Sequence, residues 1–156
     1  PPIFTEATTA TRNASVAVIN DINTMPFWNA SEGELRIKAG VINATNGALF
    51  NLTDGTNSNR VYVRRSDNAF QLIVFVGGVV QTATFGSYTD GENEIILRYG
   101  GGLPIRANYN GGVFAQVSSY SSLPPVNRLL LGTLSANDFT LNGHITKLIY
   151  YPSAGA

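Results

Sequence analysis

Short segments rich in Val, Ile, Leu, Tyr and Phe recur along the whole sequence, each closed off by Gly, Asn, Asp or Ser: Ser15–Ile19, Glu34–Ile42, Ala48–Leu52, Arg60–Arg64, Phe70–Val76, Val79–Thr84, Glu94–Tyr99, Ile105–Tyr109, Val113–Val117, Arg128–Leu131 and Ile145–Tyr151. Several alternate with a period of two, as Val61 and Val63 do against Tyr62 and Arg64, or Ile105 and Ala107 against Arg106 and Asn108. That period belongs to strands with one buried and one wetted face. No longer stretch shows helical spacing with caps, so about eleven strands in an antiparallel, all-β sandwich are expected rather than a parallel sheet with crossover helices. Asn46-Gly47, Asp54-Gly55, Asp90-Gly91, Asn110-Gly111 and Asn142-Gly143 read as tight corners, because Asn, Asp and Gly tolerate positive φ. Gly77-Gly78 reads as the two-residue turn of one hairpin. Leu123-Pro124-Pro125-Val126 cannot supply a full hydrogen-bond ladder and is expected to be an extended crossover into Arg128–Leu131.

Composition narrows the classes of partner. Ten basic and ten acidic side chains cancel among 156 residues. No positive field gathers phosphate backbones or anionic lipid, so no nucleic-acid partner is expected. The longest apolar run, Leu72 to Val80, is broken by Gly77-Gly78 and falls short of the roughly 20 residues that cross a bilayer, so no membrane insertion is expected. With no cysteine there is no disulfide framework, and the core alone must hold the domain. Four Asn-x-Ser/Thr sequons, at Asn13, Asn29, Asn43 and Asn51, are read as products of an Asn- and Thr-rich composition.

Ala10-Thr11-Arg12, Phe27-Trp28-Asn29-Ala30-Ser31-Glu32-Gly33-Glu34-Leu35, Leu52-Thr53-Asp54-Gly55-Thr56 with Asn59-Arg60, and Leu141-Asn142-Gly143-His144-Ile145 with Tyr150-Tyr151-Pro152 follow one another in an order that resembles the concanavalin A-like, laminin-G-like jelly-roll domains of bacteriophage virion proteins. The resemblance spans nearly the whole chain. It implies a single two-sheet sandwich over residues 1–156, the C-terminal module of a longer tail-fibre, tail-spike or appendage protein at the virion surface. It also implies that the closing strand packs back into the sandwich, with His144 at its start hydrogen-bonded to a neighbouring loop.

Catalysis is not expected. Glycosidases on this kind of sandwich resemble one another in using two carboxylates, about 5 Å apart for retention. The nearest pairs here, Glu32/Glu34 and Glu92/Glu94, lack the acidic, aromatic-flanked strand motif. The resemblance would place a calcium ion at the loop rim with Asp54, Asp90 and Asp138 as ligands, and no other cofactor is expected. These aspartates occur singly in separate loops, and the turn role is the stronger reading. Sugar binding asks for an aromatic face with amides or hydroxyls beside it. Tyr88 and Tyr120 stand among small polar loop residues with no apolar alternation to bury them, Tyr109 lies beside Asn108 and Asn110, and Trp28 is either a ligand platform or a core residue. Lys38, Arg64, Arg65 and Arg106 read as guards of exposed strand edges.

The function expected is non-catalytic, lectin-like adhesion to a host-surface glycan, weak per site and strengthened by multiple copies. The alternative is a purely structural virion module that contacts other virion proteins or copies of itself, for which exposed apolar patches around Phe85, Phe114 or Phe139 would be the sign.

Overall fold

In a computed structural model of the chain, residues 17–41, 46–135, 139–141 and 143–154 are described. Eleven strands form among the described residues: β1 (Ala17–Asn20), β2 (Gly33–Val41), β3 (Asn46–Thr53), β4 (Arg60–Ser66), β5 (Ala69–Val76), β6 (Val79–Ser87), β7 (Glu92–Gly100), β8 (Leu103–Tyr109), β9 (Ala115–Gln116), β10 (Arg128–Leu131) and β11 (Gly143–Tyr151). A 3-10 turn, Ile22–Thr24, follows β1. The strands make a six-stranded sheet in the order β1-β10-β3-β4-β5-β6 and a five-stranded sheet in the order β11-β2-β7-β8-β9, antiparallel at every pairing. The expected antiparallel, two-sheet jelly-roll sandwich is therefore the fold found.

Alternation decides which side chains enter the core. Leu35, Ile37 and Ala39 of β2, Val61 and Val63 of β4, Phe70, Leu72 and Val74 of β5, Ile95, Leu97 and Tyr99 of β7, and Ile105 and Ala107 of β8 are all buried in one cluster between the sheets. Each large apolar side chain so buried contributes about 1.5–3 kcal/mol, and this cluster holds the layers together.

In β3 the burial pattern breaks from alternation: every residue from Gly47 to Thr53 is buried. The outer face of this strand is covered by the connection between β10 and β11. Ala48 N donates to Phe139 O at 2.8 Å and Gly132 N to Leu49 O at 2.9 Å, and Leu134 joins Ala48, Tyr62 and Ile73 in a second apolar cluster outside the sheet. Asn46-Gly47, expected as a corner, instead opens β3. A Cβ on Gly47 would lie 3.3 Å from Leu141 Cα, so this glycine serves the close approach of the covering segment. The first strand begins at Ala17, and Ser15, Val16 and Ala10-Thr11-Arg12 lie outside the described residues, as do Ile42, Asn142 and the sequons at Asn13 and Asn43. Val113–Val117 shrinks to the two residues of β9, and Val113 is 92% exposed.

The closing strand packs back as expected, through a polar knot. Tyr99 Oη donates to Asn29 O at 2.6 Å, Asn29 N donates to Tyr150 Oη at 2.9 Å, and Asn29 Nδ2 donates to Pro152 O at 3.0 Å. Trp28 stacks on Tyr150 with ring centroids 4.9 Å apart. Burial, and then the hydrogen bond with Tyr150, push the Tyr99 hydroxyl far above the usual phenol range. His144 is exposed, and its ring fills the space over Gly40, where a Cβ would lie 2.5 Å from His144 Cε1. No hydrogen bond from its ring to a loop is found among the described residues, so packing, not the expected bond, places it.

Among the described residues, the edges of the sheets are β1, β6, β9 and β11. Lys38, Arg64, Arg65 and Arg106 therefore do not guard edges: they sit on β2, β4 and β8, each with a neighbour on both sides.

Two glycines give a test of how tightly the corners are set. Gly100 has φ +79, and a Cβ there would lie 2.3 Å from Ser31 O; Gly77 has φ +57 with nothing within 4 Å. Urea unfolding is expected to show Gly100→Ala losing about 3 kcal/mol or more, and Gly77→Ala about 1–2 kcal/mol, the cost of the left-handed backbone alone.

Candidate functional site

The aromatic residues picked out as sugar platforms are mostly engaged within the fold. The Arg65 guanidinium lies 3.6 Å from the centroid of the Tyr88 ring, and Phe70 meets the same ring edge-on at 6.4 Å. Burial, and then a hydrogen bond with Asp90, raise the Tyr88 hydroxyl above its ordinary value. Tyr109 packs against Phe70 at 5.2 Å, and its hydroxyl is 2.5 Å from both Asn93 Oδ1 and Thr89 Oγ1. Tyr120 also packs against the core, while its carbonyl accepts from Ile105 N at 2.7 Å. The expectation that nothing buries Tyr88 and Tyr120 is thus corrected: polar loop sequence does not prevent a ring from folding back onto the end of the sandwich. Tyr88 and Tyr109 come together around Phe70; Trp28 lies with Tyr99 and Tyr150 beside the closing strand. Of the three phenylalanines considered as exposed patches, Phe85 is buried in the core, and Phe114 and Phe139 are half-buried.

Asp54 is held inside its own loop. Its Oδ1 accepts from Thr56 N and Thr56 Oγ1, each at 2.7 Å, and its Oδ2 accepts from Asn59 Nδ2 at 2.9 Å. Burial opposes the charge, but these hydrogen bonds outweigh it and hold the carboxyl below its ordinary value of 3.8. Asp90 lies exposed in the β6–β7 turn, and Asp138 is outside the described residues. Among the described residues, no three His, Asp or Glu side chains converge as a cation site would need.

A different constellation emerges on the outer face of the five-stranded sheet. Cross-strand register sets Tyr151 of β11 opposite Glu34 of β2, Glu34 opposite Arg98 of β7, Arg98 opposite Arg106 of β8, and Arg106 opposite Gln116 of β9. One row of side chains thus crosses all five strands. Arg36, two residues along β2 from Glu34, points to the same side. Glu34 has no exposed surface. Its Oε1 accepts from Arg36 Nε and its Oε2 from Arg98 Nε, so both carboxylate oxygens are occupied.

Three guanidinium groups surround this single carboxylate. Arg106 is 8% exposed and donates to Pro104 O at 3.2 Å. Burial, followed by the positive charge of Arg98, pulls its pKa below the usual guanidinium value. The hydrogen bond to Glu34 has the opposite effect on Arg36 and raises it. Aromatic rings complete the surface: Phe114, in the β8–β9 connection, lies 4.9 Å from the Arg98 guanidinium carbon and 5.7 Å from that of Arg106, and Tyr151 lies 5.3 Å from that of Arg36. Asn108, foreseen as a sugar contact, belongs to this outer face. It is 5% exposed, donates to Gly112 O at 3.1 Å and leaves its Oδ1 without a partner.

Of the two carboxylate pairs, Glu32/Glu34 and Glu92/Glu94, three members are engaged within the fold. Glu34 is enclosed as described, and Glu92 and Glu94 flank Lys38 Nζ at 3.9 Å each. Sequence reasoning had Glu34 as half of an acid pair and Arg106 as an edge guard, and did not join them. The available signal was a charged residue at every second position, Glu34-x-Arg36-x-Lys38, on a strand whose other face is wholly apolar.

No family model matches the sequence, and no curated protein matches it. Solved structures do match in fold. Mouse laminin α1 chain domains LG4-5 superpose with a TM-score of 0.64 at 11% identity, over 98% of this chain and 46% of that one. The CBM40 domain of Ruminococcus gnavus IT-sialidase bound to α2,3-sialyllactose gives 0.66 at 11% identity, over 93% and 91% of the two chains. NanB with optactamide gives 0.71 at 14% identity, over 90% of this chain and 25% of that one. The chain thus spans less than half of the laminin and NanB chains it matches. The architecture is that of the concanavalin A-like, laminin-G-like jelly roll.

Glu34→Ala is expected to lower the unfolding free energy by about 3 kcal/mol, because it leaves three guanidinium groups facing one another without their counter-charge. Arg36→Ala, which leaves Arg98 on the carboxylate, is expected to cost about 1 kcal/mol or less; urea midpoints distinguish the two. Asp54 supplies a pH test. Its carboxyl titrates lower in the folded protein than unfolded, so its contribution is present above pH 3.8 and lost as the pH falls through the folded value. Asp54→Asn is expected to flatten that part of the pH–stability curve.

Proposed function

We propose that the domain binds carbohydrate without acting on it, and that the outer face of the five-stranded sheet takes a sugar bearing a carboxylate. The observation that carries this reading is the imbalance of charge: Arg36, Arg98 and Arg106 face one enclosed carboxylate, and Arg36 and Arg98 remain partly open to solvent. A carboxylate ligand supplies the missing negative charge and fits the two-pronged geometry of a guanidinium. Tyr151 and Phe114 offer apolar surface to the sugar ring beside it. A domain of like fold that binds sialyllactose supports an acidic sugar in particular. The engagement of Glu34, and of Glu92 and Glu94 with Lys38, supports binding over hydrolysis.

The setting proposed is a virion appendage that adheres to host-surface glycan, on the resemblance of the sequence motifs to phage proteins. Several copies on one particle would raise the avidity of weak single sites. A structural role within the particle is the competing reading. It is favoured by Val79 and Val80 at the β5–β6 hairpin tip and by Val113, which are exposed apolar side chains that sugar binding does not require.

The test is binding of the multimerised domain to immobilised sialyllactose and to lactose, with Arg36→Gln and Arg98→Gln variants verified as folded. Sialyllactose is expected to bind, lactose is not, and each variant is expected to lose about tenfold or more in affinity, equivalent to about 1.4 kcal/mol. Equal binding of the two sugars, or binding that survives both variants, would sink the anionic-sugar reading. A blank result across acidic glycans would favour the structural module.

A further inference from the structure

The opposite face of the sandwich carries a second polar cleft, of about 220 Å3, at the β3–β4 end of the six-stranded sheet. Register again builds it. Arg128 of β10 stands opposite Thr53 of β3, and Thr53 opposite Arg60 of β4, so two arginines flank a threonine on three adjacent strands. Leu52 and Leu129, their neighbours along the chain, point into the core, which sends Arg128 and Thr53 outward. The cleft is closed on one side by Leu134 and Ser135 and on another by the loop after β3.

Three features distinguish this cleft from an ordinary solvated surface. The Arg60 guanidinium is fixed against the Phe75 ring at 4.5 Å and the Tyr62 ring at 5.1 Å, yet its Nε is buried with no hydrogen-bond partner. Asn51, 1% exposed, lines the cleft; its Nδ2 donates to Leu134 O at 2.9 Å, which leaves Oδ1 buried with no donor. Gly55, at φ +91, makes room for Arg128, since a Cβ there would lie 3.1 Å from its guanidinium carbon. Neither arginine forms an ion pair among the described residues, and the nearby Asp54 has both oxygens committed to Thr56 and Asn59.

A buried donor and a buried acceptor left open in one cleft each cost stability until a ligand satisfies them. Two guanidinium groups call for an oxyanion, and the Asn51 carbonyl calls for a hydroxyl or N–H close to it. An oxyanion without a hydroxyl, such as sulfate, satisfies the arginines and not Asn51, while a neutral sugar does the reverse. We propose that this cleft binds the anionic substituent of a saccharide, a uronate carboxylate or a sugar phosphate, with the oxyanion between Arg60 and Arg128 and a sugar hydroxyl donating to Asn51 Oδ1. The site is independent of the one on the five-stranded sheet and lies on the other side of the molecule.

The experiment is a titration of the 15N-labelled domain with glucuronate and with glucose 6-phosphate, beside glucose and sulfate. The Arg60 Nε–H and Asn51 side-chain amide resonances are followed, in the wild type and in Arg128→Gln and Lys147→Gln. At least one of the two acidic sugars is expected to shift both resonances and to bind about tenfold more tightly than glucose or sulfate. Arg128→Gln, at an exposed side chain that can be changed without loss of packing, is expected to weaken that binding about tenfold, and Lys147→Gln, at an exposed side chain of β11, to leave it unchanged. The two acidic probes separate carboxylate from phosphate selectivity. The proposal is overturned if neither acidic sugar moves these resonances, if sulfate binds as tightly as the acidic sugars, or if binding persists undiminished in Arg128→Gln.

Discussion

A carboxylate with no contact to solvent must be matched by positive charge, and on the five-stranded sheet that requirement falls on Glu34. Arg36 and Arg98 meet it from β2 and from the neighbouring β7. Once they are so placed, Phe114 covers Arg98 and Arg106, Tyr151 lies against Arg36, and an outer sheet face that alternation alone would leave wet becomes a built surface. The arrangement also binds β2 to β7 by more than backbone hydrogen bonds. These are two of the strands that place Leu35, Ile37, Ile95 and Leu97 in the core, so charge on one face and apolar packing on the other reinforce one register.

Most of the architecture could be read from the order of residues, because strand alternation and turn chemistry are local. The inward pair Val61 and Val63, or Gly77-Gly78 between two apolar runs, announces itself within a few positions, although Tyr62, expected on the wetted face, is buried in the second cluster. What could not be read is which strands become neighbours. Tyr151, Glu34, Arg98, Arg106 and Gln116 form one row only after sheet order and register are known, and no local pattern joins Glu34 to Tyr151. The same holds for Arg128, Thr53 and Arg60 on the other sheet. Tyr88 failed in a different way: its neighbours in sequence are small and polar, but the guanidinium that covers its ring comes from Arg65 on β4.

The two sheets treat their outer faces differently. On the five-stranded sheet the central outer positions carry charge, paired within the row and bordered by aromatic rings. On the six-stranded sheet the middle is roofed by the segment that carries Leu134 and Phe139, so Tyr62 and Ile73 sit in a small second core, with Arg60 and Arg128 at one end of it and Arg64, hydrogen-bonded to Gln71, towards the other. The polar knot of Asn29, Tyr99 and Tyr150 then fastens β7 and β11 to the stretch that leads into β2.

The place of β10 has a consequence for how the chain acquires its shape. This strand inserts between β1 and β3, whereas β3, β4, β5 and β6 follow one another as neighbours in space and in sequence. The four consecutive strands can pair with short loops to close, but the side of β3 that β10 covers stays open until residues 128–131 arrive. During synthesis that open side is a template for a strand from another molecule, and the hazard ends only when β10 docks. The later part of the chain is thus what covers the open side of the earlier part.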